Sequence, residues 1–375
     1  MSRYMSHALE LAAQAQGRTS PNPMVGAVIV RDGQVVGQGY HRQAGTPHAE
    51  IHALREAGER ARGAVVYVTL EPCVHHGRTP PCIDALIEAG VAEVHMAMLD
   101  PNPRVAGRGR QALERAGIRT VVGEEEEAAR RLNMAFITWI TTGRPWVIAK
   151  FAMSLDGKIA TRTGESQWIT SPEARQRGHM LRDQVDAILV GLGTVQADDP
   201  RLTTRLDGRE DGQHPLRVVL DSRGRAPLEA RVFDPVLSGR TLVATTGAMT
   251  KERRRTLAEH DIEVLTLSAD EKGRVSLPHL LDALGERETT SLLVEGGHTV
   301  LGSFLGAGLV DKVMAFIAPK IIGGQEAPGP VGGAGTARLA DAVTLTDLYV
   351  ERIGPDVLIT GNVGQGDRRD VQWNC

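Results

Sequence analysis

Apolar residues fall along this chain in two alternating rhythms. Short runs rich in Val, Ile and Leu, such as MVGAVIV, AVVYVTL, LRVVLD and SLLVEGG, predict strands, and stretches with apolar positions three or four apart predict helices. The opening MSRYMSHALELAAQAQG has helical spacing, and Asp32-Gly33 between MVGAVIV and QVVGQGY is a hairpin signal. The pattern then predicts a helix from Thr46, a strand at AVVYVTL, a helix at PCIDALIEAG ending on Gly90 and a strand at AEVHMAML. A further helix opens in the acidic run Glu124 to Glu127, where negative charge suits a helix start. After TTGRPW, where Gly and Pro punctuate the chain, strands are predicted at WVIAKFAM, DAILVGLGTV, LRVVLD, TLVATT, IEVLTL and SLLVEGG. Helices are predicted after Ser171-Pro172 and from about Thr299. Strands alternating with helices mean α/β architecture, here in two domains, residues 1–144 and 145–365, with a polar tail at 366–375.

A length of 375 residues suits two cores and not one. The formal net charge of -3 gives no basic field for nucleic acid, and 3% aromatics leave few stacking platforms, so no nucleic-acid partner is expected. The opening helix lacks the continuous apolar stretch of a signal peptide, and no run of about eighteen apolar residues occurs, so no membrane partner is expected. Three cysteines, Cys73, Cys82 and Cys375, are too few for a disulfide scaffold and point to a reducing cytoplasm. Cys375 reads as an incidental thiol in the polar end. The other two need a different explanation.

Thr46-Pro47 is a helix-start signal, which puts His48 and Glu50 within about the first turn. Residues two apart do not share a face in mid-helix, so this pair serves one site only if the site lies off the helix end. Cys73 follows the strand AVVYVTL, and Thr79-Pro80-Pro81 starts another helix with Cys82 in its first turn, where the partial positive charge of a helix N-terminus stabilises a thiolate. His48, Cys73 and Cys82 together make a three-ligand zinc set, which leaves a fourth tetrahedral position for water and brings the pKa of that water to about 7. Glu50 is near enough to move a proton there. Taken singly, an HAE triplet reads as surface and two cysteines as inert core; the conjunction points to a metal. His52, His75 and His76 read as exposed polar residues. A structural zinc would be closed by four ligands, and only three are found.

The second half is less legible. VGLGTVQADDPRL carries Gly191 and Gly193 after a strand but lacks the third glycine of GxGxxG, so the dinucleotide fingerprint fails. In LVEGGHTVLGSF a strand leads through Gly296-Gly297 into a helix, which either cradles a phosphate on exposed amides or only closes a tight turn; the residues alone leave both open.

HAE with a later PC…C resembles the zinc-dependent nucleobase deaminases, whose glutamate is the general acid/base and not a ligand. Their usual second half is PCxxC, whereas eight residues separate Cys73 from Cys82 here. EPCVHHGRTPPC, SPNPMVGAVIV and DPNPRVAGRG resemble the deaminase half of the bifunctional riboflavin biosynthesis deaminase/reductase family, where the longer spacing is the family's own. AKFAMSLDGKIATRTGESQWIT, ILVGLGTVQADDPRLTTR, PLRVVLDSRGR and LLVEGGHTVLGSFLGAGLVD are similar, in order, to its reductase half. Only the tail and the stretch from Gly208 to Gln213 fall outside the resemblance.

The resemblance implies an N-terminal cytidine-deaminase-like three-layer α/β/α domain with one zinc, and a C-terminal dihydrofolate-reductase-like α/β domain that uses NADPH. It implies two consecutive reactions on small phosphorylated pyrimidines: hydrolytic deamination of 2,5-diamino-6-ribosylamino-4(3H)-pyrimidinone 5′-phosphate, then reduction of its ribosyl side chain to ribityl. Carried over by motif, Ala152, Trp168, Thr194, Asp198, Ser222 and the run Gly297, His298, Thr299, Val300, Leu301, Gly302 and Ser303 line the cofactor. Ser166, Arg182, Leu202, Arg205 and Glu295 face the substrate, the two arginines being suited to its 5′-phosphate. Lys150 and Asp198 match positions linked to the reduction step, and Ser222, followed by Arg223, matches a contact for the cofactor's 2′-phosphate. The resemblance leaves association into a homo-oligomer open. A nucleic-acid deaminase would account for the zinc motif but leave the second half idle.

Overall fold

Strand runs that are apolar throughout need a layer on each face, and the burial follows that demand. The computed structural model describes residues 3–74, 81–103, 105–209 and 212–364. The expected tail at 366–375 with Cys375, the residues His75 and His76, and the Thr79-Pro80 helix start lie outside the described residues. So does part of the stretch from Gly208 to Gln213. One unit comprises the chain up to Pro145 together with Leu284–Thr290, the other runs from Trp146 to Ala283 and from Ser291 onward.

The first unit contains α1 (Arg3–Ala13), β1 (Gly26–Arg31), β2 (Gln34–Tyr40), α2 (Ala49–Ala57), β3 (Val65–Val68), α3 (Cys82–Ala89), β4 (Glu93–Met96), α4 (Arg108–Arg115), β5 (Arg119–Val122), α5 (Glu126–Leu132) and α6 (Met134–Thr142). Its five-stranded sheet runs β2-β1-β3-β4-β5, antiparallel at β1 and parallel from β3 to β5. Side chains alternate between two cores: Ala27 and Ile29 of β1 pack with Ala49, Ala53, Ile83 and Leu113 from α2, α3 and α4, while Val28 and Val30 pack with Met5, Ala8, Ala129 and Ile137 from α1, α5 and α6. This makes three layers, α/β/α. Asp32 and Gly33 both take positive φ, 51° and 75°, the combination that lets a two-residue turn follow the strand twist and pair Arg31 with Gln34.

The second unit contains β6 (Trp146–Ser154), α7 (Pro172–Gln184), β7 (Ala187–Gly191), α8 (Leu192–Asp198), β8 (Leu216–Leu220), β9 (Thr241–Thr245), α9 (Lys251–Glu259), β10 (Glu263–Thr266), all but the last two residues of α10 (Leu277–Gly285), β11 (Ser291–Val294), α11 (His298–Gly306), β12 (Lys312–Ala318), β13 (Leu345–Ile353) and β14 (Asp356–Val363). The sheet order is β10-β9-β8-β7-β11-β6-β12-β14-β13, parallel from β10 through β12 and antiparallel at β14 and β13. Every residue of β7, β9 and β11 is buried. Ile188, Val190, Val219, Val243, Leu293 and Phe316 of this sheet share one core.

Two predicted boundaries move. The helix expected from Thr46 begins at Ala49, because the Thr46 hydroxyl donates to the Gln43 carbonyl at 2.6 Å and closes a separate turn before it. The strand expected through DAILVGLGTV stops at Gly191, and Leu192–Asp198 is helical. Strands β12, β13 and β14 carry no pattern that the sequence reading used: β12 is a short apolar run that fits a helix as well, and β13 is a mostly exposed edge.

Helix α2 lies on β2 with glycines beneath it. A methyl group at Gly37 would collide with the Ala53 carbonyl of α2, and one at Gly39 with the His52 side chain. Gly37→Ala is therefore expected to destabilise the first unit by about 1–3 kcal/mol, an overpacking cost, read as a lower urea midpoint at unchanged slope.

Candidate active sites

In the first unit the chemistry-bearing side chains come from the ends of elements. His48 is the N-cap of α2, with φ -72° and ψ 167°, and Glu50 is the second residue of the helix, so the two sit off its end together. Cys82 opens α3, behind Pro81, and Cys73 lies on the segment that leaves β3. The His48 Nδ1 is 3.1 Å from Cys82 Sγ and 3.6 Å from Cys73 Sγ, and the three ligand atoms lie within 4.8 Å of one another. Tetrahedral zinc with Zn–S of about 2.3 Å and Zn–N of about 2.0 Å sets nitrogen and sulfur roughly 3.5 Å apart, so the set fits that ion.

The helix N-terminus acts on a different sulfur from the one expected. The amide of Cys82 donates to Cys73 Sγ at 3.3 Å, so the α3 dipole favours the Cys73 thiolate. The Cys82 thiol donates to it as well, and with His48 these bonds pull Cys73 down to about 4 against burial, while Cys82, the donor of that bond and itself buried, is pushed up. Glu50 is 3% exposed, and its Oε2 is buried without a hydrogen-bond partner among the described residues. Burial, then the neighbouring Cys73, pushes its carboxyl above the usual range.

Sequence reading missed the parts that hold this arrangement. Glu71, two residues before Cys73 and 3% exposed, accepts the backbone amides of Asp100 at 3.0 Å, Gly107 at 2.9 Å and Arg110 at 2.9 Å. Asn133 clasps Met24, donating to its carbonyl at 2.9 Å and accepting its amide at 2.8 Å. The His41 ring stands edge-on to His48, 5.3 Å between centres. No spacing in the sequence singles these out from other polar residues. His52, expected to be exposed, is half-buried, with Nε2 shut off from solvent and without a partner among the described residues.

In the second unit a cleft of ≈ 1920 Å³ opens at the C-terminal ends of the parallel strands, where α/β sheets receive ligands. Every reductase residue expected from the motifs lines it: Lys150, Ala152, Ser166, Trp168, Arg182, Thr194, Asp198, Leu202, Arg205, Ser222, Glu295 and the run Gly297 to Ser303. Two strand-to-helix turns stand side by side in its wall. Gly297, at φ 62°, caps α11, and a methyl group there would come 3.0 Å from Thr194 Oγ1 of α8. Gly297 is half-buried and brings the start of α11 to the cleft wall without a side chain of its own, which fits a phosphate of a dinucleotide.

At the substrate end, Glu295 takes two parallel N–H bonds from Arg182, 2.8 Å each, and lies 3.6 Å from Lys150 Nζ. Arg182 and Lys150 together overcome burial and hold Glu295 at about 2. Arg182 also donates to the Thr203 carbonyl at 3.1 Å, so much of its fork is already engaged, whereas Arg205 is exposed and stands near Arg201 and Arg231. Asp198 accepts the Ser166 hydroxyl at 2.7 Å. Trp168 is 62% exposed, with the Arg175 guanidinium 4.5 Å from its ring centre. The Ser222 hydroxyl accepts the Val275 amide at 3.1 Å, and Arg223, Arg225 and Lys272 line the same end of the cleft.

Comparison with known proteins agrees with both halves. Residues 1–98 match the cytidine and deoxycytidylate deaminase zinc-binding region, and residues 145–359 match the RibD C-terminal domain. The riboflavin biosynthesis protein RibD of Synechocystis sp. is 46% identical over 358 residues, 96% of this chain and 95% of that protein. The Escherichia coli protein of the same name is 46% identical over 367 residues, 95% of this chain and 97% of that protein. This chain belongs to the RibD family. RibD of Acinetobacter baumannii superposes with a TM-score of 0.87 at 38% identity, over 96% of this chain and 98% of that one. The Thermotoga maritima diaminohydroxyphosphoribosylaminopyrimidine deaminase/5-amino-6-(5-phosphoribosylamino)uracil reductase superposes with a TM-score of 0.83 at 37% identity, over 96% and 98%. The RibD family is the bifunctional riboflavin biosynthesis family that the motifs resemble, and the cytidine-deaminase-like and reductase folds expected of it are both present.

Two stability predictions follow from the buried carboxylates. Glu71→Ala strands three inward-facing amides and is expected to cost about 3 kcal/mol in urea unfolding and to speed loss of zinc to a chelator. Glu295, held at about 2 against an ordinary 4.5, stabilises the second unit above pH 4.5, and that contribution is lost as pH falls towards 2. It amounts to about 3 kcal/mol, and a pH series of unfolding midpoints should show a slope in that window that Glu295→Gln removes.

Proposed function

We propose that this RibD-family chain performs both family reactions in sequence. The unit formed around residues 1–144 deaminates 2,5-diamino-6-ribosylamino-4(3H)-pyrimidinone 5′-phosphate hydrolytically, and the unit formed around 145–365 reduces the ribosyl side chain of the product to ribityl with NADPH. The observation that carries the reading is convergence: a three-ligand set beside a buried carboxylate, one oxygen of which has no partner among the described residues, occurs on the same chain as a cleft that collects every expected reductase residue.

His48, Cys73 and Cys82 would hold the zinc. When bound, zinc brings the pKa of water to about 7 and so makes hydroxide available at neutral pH. Glu50, its carboxyl raised by burial, takes up the proton of that water on Oε2 and gives it to the amine as the C–N bond breaks. Water enters, a carbonyl replaces the amine, and ammonia leaves.

In the cleft, NADPH when bound supplies a hydride to C1′ of the opened sugar. The turn at Gly297 would receive its diphosphate, and Arg223, Arg225 and Lys272 beside Ser222 would favour the 2′-phosphate. Arg205 takes the substrate phosphate, together with the N–H groups of Arg182 not used by Glu295. Lys150, fixed by Glu295, would supply a proton to the nitrogen doubly bonded to C1′ as the hydride arrives, and the Asp198 carboxylate would orient Ser166 on the substrate.

The test follows ammonia release and NADPH oxidation separately, starting from the diaminopyrimidinone ribosyl phosphate. Ammonia is expected first and NADPH loss after it, with a chelator stopping both unless deaminated substrate is supplied. Glu50→Gln is expected to lower ammonia release by about 10²–10⁴-fold while zinc content and reduction of deaminated substrate stay normal. Full deamination by that variant would remove Glu50 from its role.

A further inference from the structure

The cleft contains one titratable group to which neither motif nor mechanism gives a task. His179 stands on α7 three residues before Arg182, so the two share a helix face, and it lines the cleft. Its ring is half-buried, and its Nδ1 is sealed from solvent without a hydrogen-bond partner among the described residues. Charged groups reach it from four elements: Arg182 on its own helix, Arg205 on the segment after α8, Glu295 at the end of β11 and Lys150 on β6. Three of the four are cations. Burial first, then those cations, pull the imidazole down to about 4, so at neutral pH it carries one N–H and one lone pair. What a ligand meets is the part of the ring that lines the cleft, beside Arg182 and Arg205, and the sealed Nδ1 is not that part.

We infer that His179 is a substrate-contact residue that selects the phosphorylated ribosyl chain, hydrogen-bonding to it beside Arg205. The inference rests on the reductase reading given above. A phosphate dianion entering between Arg182 and Arg205 offsets the cations that, after burial, keep the ring neutral, so binding of a phosphorylated sugar favours a proton on His179. An unphosphorylated sugar brings no such charge. His179 is thereby a discriminator of charge state as well as a contact.

The experiment compares wild type, His179→Leu and His179→Gln in NADPH oxidation, using the deaminated substrate with and without its 5′-phosphate. Calorimetric titration of ribose 5-phosphate in buffers of different ionisation enthalpy counts the protons taken up. His179→Leu is expected to raise KM for the phosphorylated substrate about tenfold, with kcat and the KM of the dephosphorylated one changed less than about twofold. His179→Gln, which keeps a donor and an acceptor, should recover most of that loss but show no proton uptake. Equal losses on both substrates, or unchanged constants and unchanged proton uptake in His179→Leu, would overturn the inference while leaving the reductase reading in place. If the leucine variant does not fold, proton uptake persisting in His179→Gln overturns it. Absence of NADPH oxidation by the wild type would overturn the reductase reading, and this inference with it.

Discussion

The central strands of both sheets are covered on both faces, and this confines where chemistry can occur. Strands such as SLLV and AILVG are buried at every residue, so an unpaired polar side chain within them would face only apolar neighbours. Polar groups that must meet a ligand are therefore pushed to where the strands stop and the next helix starts. His48 caps α2, Cys82 opens α3, Glu295 follows β11 and Gly297 caps α11. At such points backbone amides are free of intrahelical bonds, and the same amides tune the site, as when Cys82 N–H donates to Cys73 Sγ.

That confinement also explains what was legible in the sequence. Strand and helix alternation, the Asp32-Gly33 hairpin and the domain-like punctuation at TTGRPW follow from local rules, and the zinc-type ligand set is dense enough within 35 residues, His48 to Cys82, to be seen by spacing. The reductase residues were legible only by resemblance, because they come from β6, α7, α8, α11 and the segments that follow β6, α8, β8 and β11, and no spacing along the chain expresses that they share one cleft. Glu71 and Asn133 were illegible for a related reason: each serves backbone groups remote in sequence, at Asp100 to Arg110 and at Met24. The helix start at Thr46 misled because its hydroxyl found a nearer carbonyl, at Gln43. His179 carries no motif at all, and its neighbours are assembled from four elements.

The two units also show how neighbours, and not burial, decide what a carboxylate can do. Glu50 and Glu295 are each buried, and burial alone would raise both. Around Glu50 the strongest neighbour is the Cys73 sulfur, itself anionic, so burial and charge act in the same direction and the carboxyl gains affinity for a proton. Around Glu295 the neighbours are Arg182, in a two-bond fork, and Lys150, and their charge outweighs burial. One carboxylate thereby gains affinity for a proton, as its proposed role requires; the other is kept charged down to about pH 2, able to hold cations in place but not to titrate near neutrality. The proposed roles follow from that difference, since exchanging the two environments would leave the deaminase without a proton carrier and the reductase cleft with a carboxyl too weakly charged to fix Lys150.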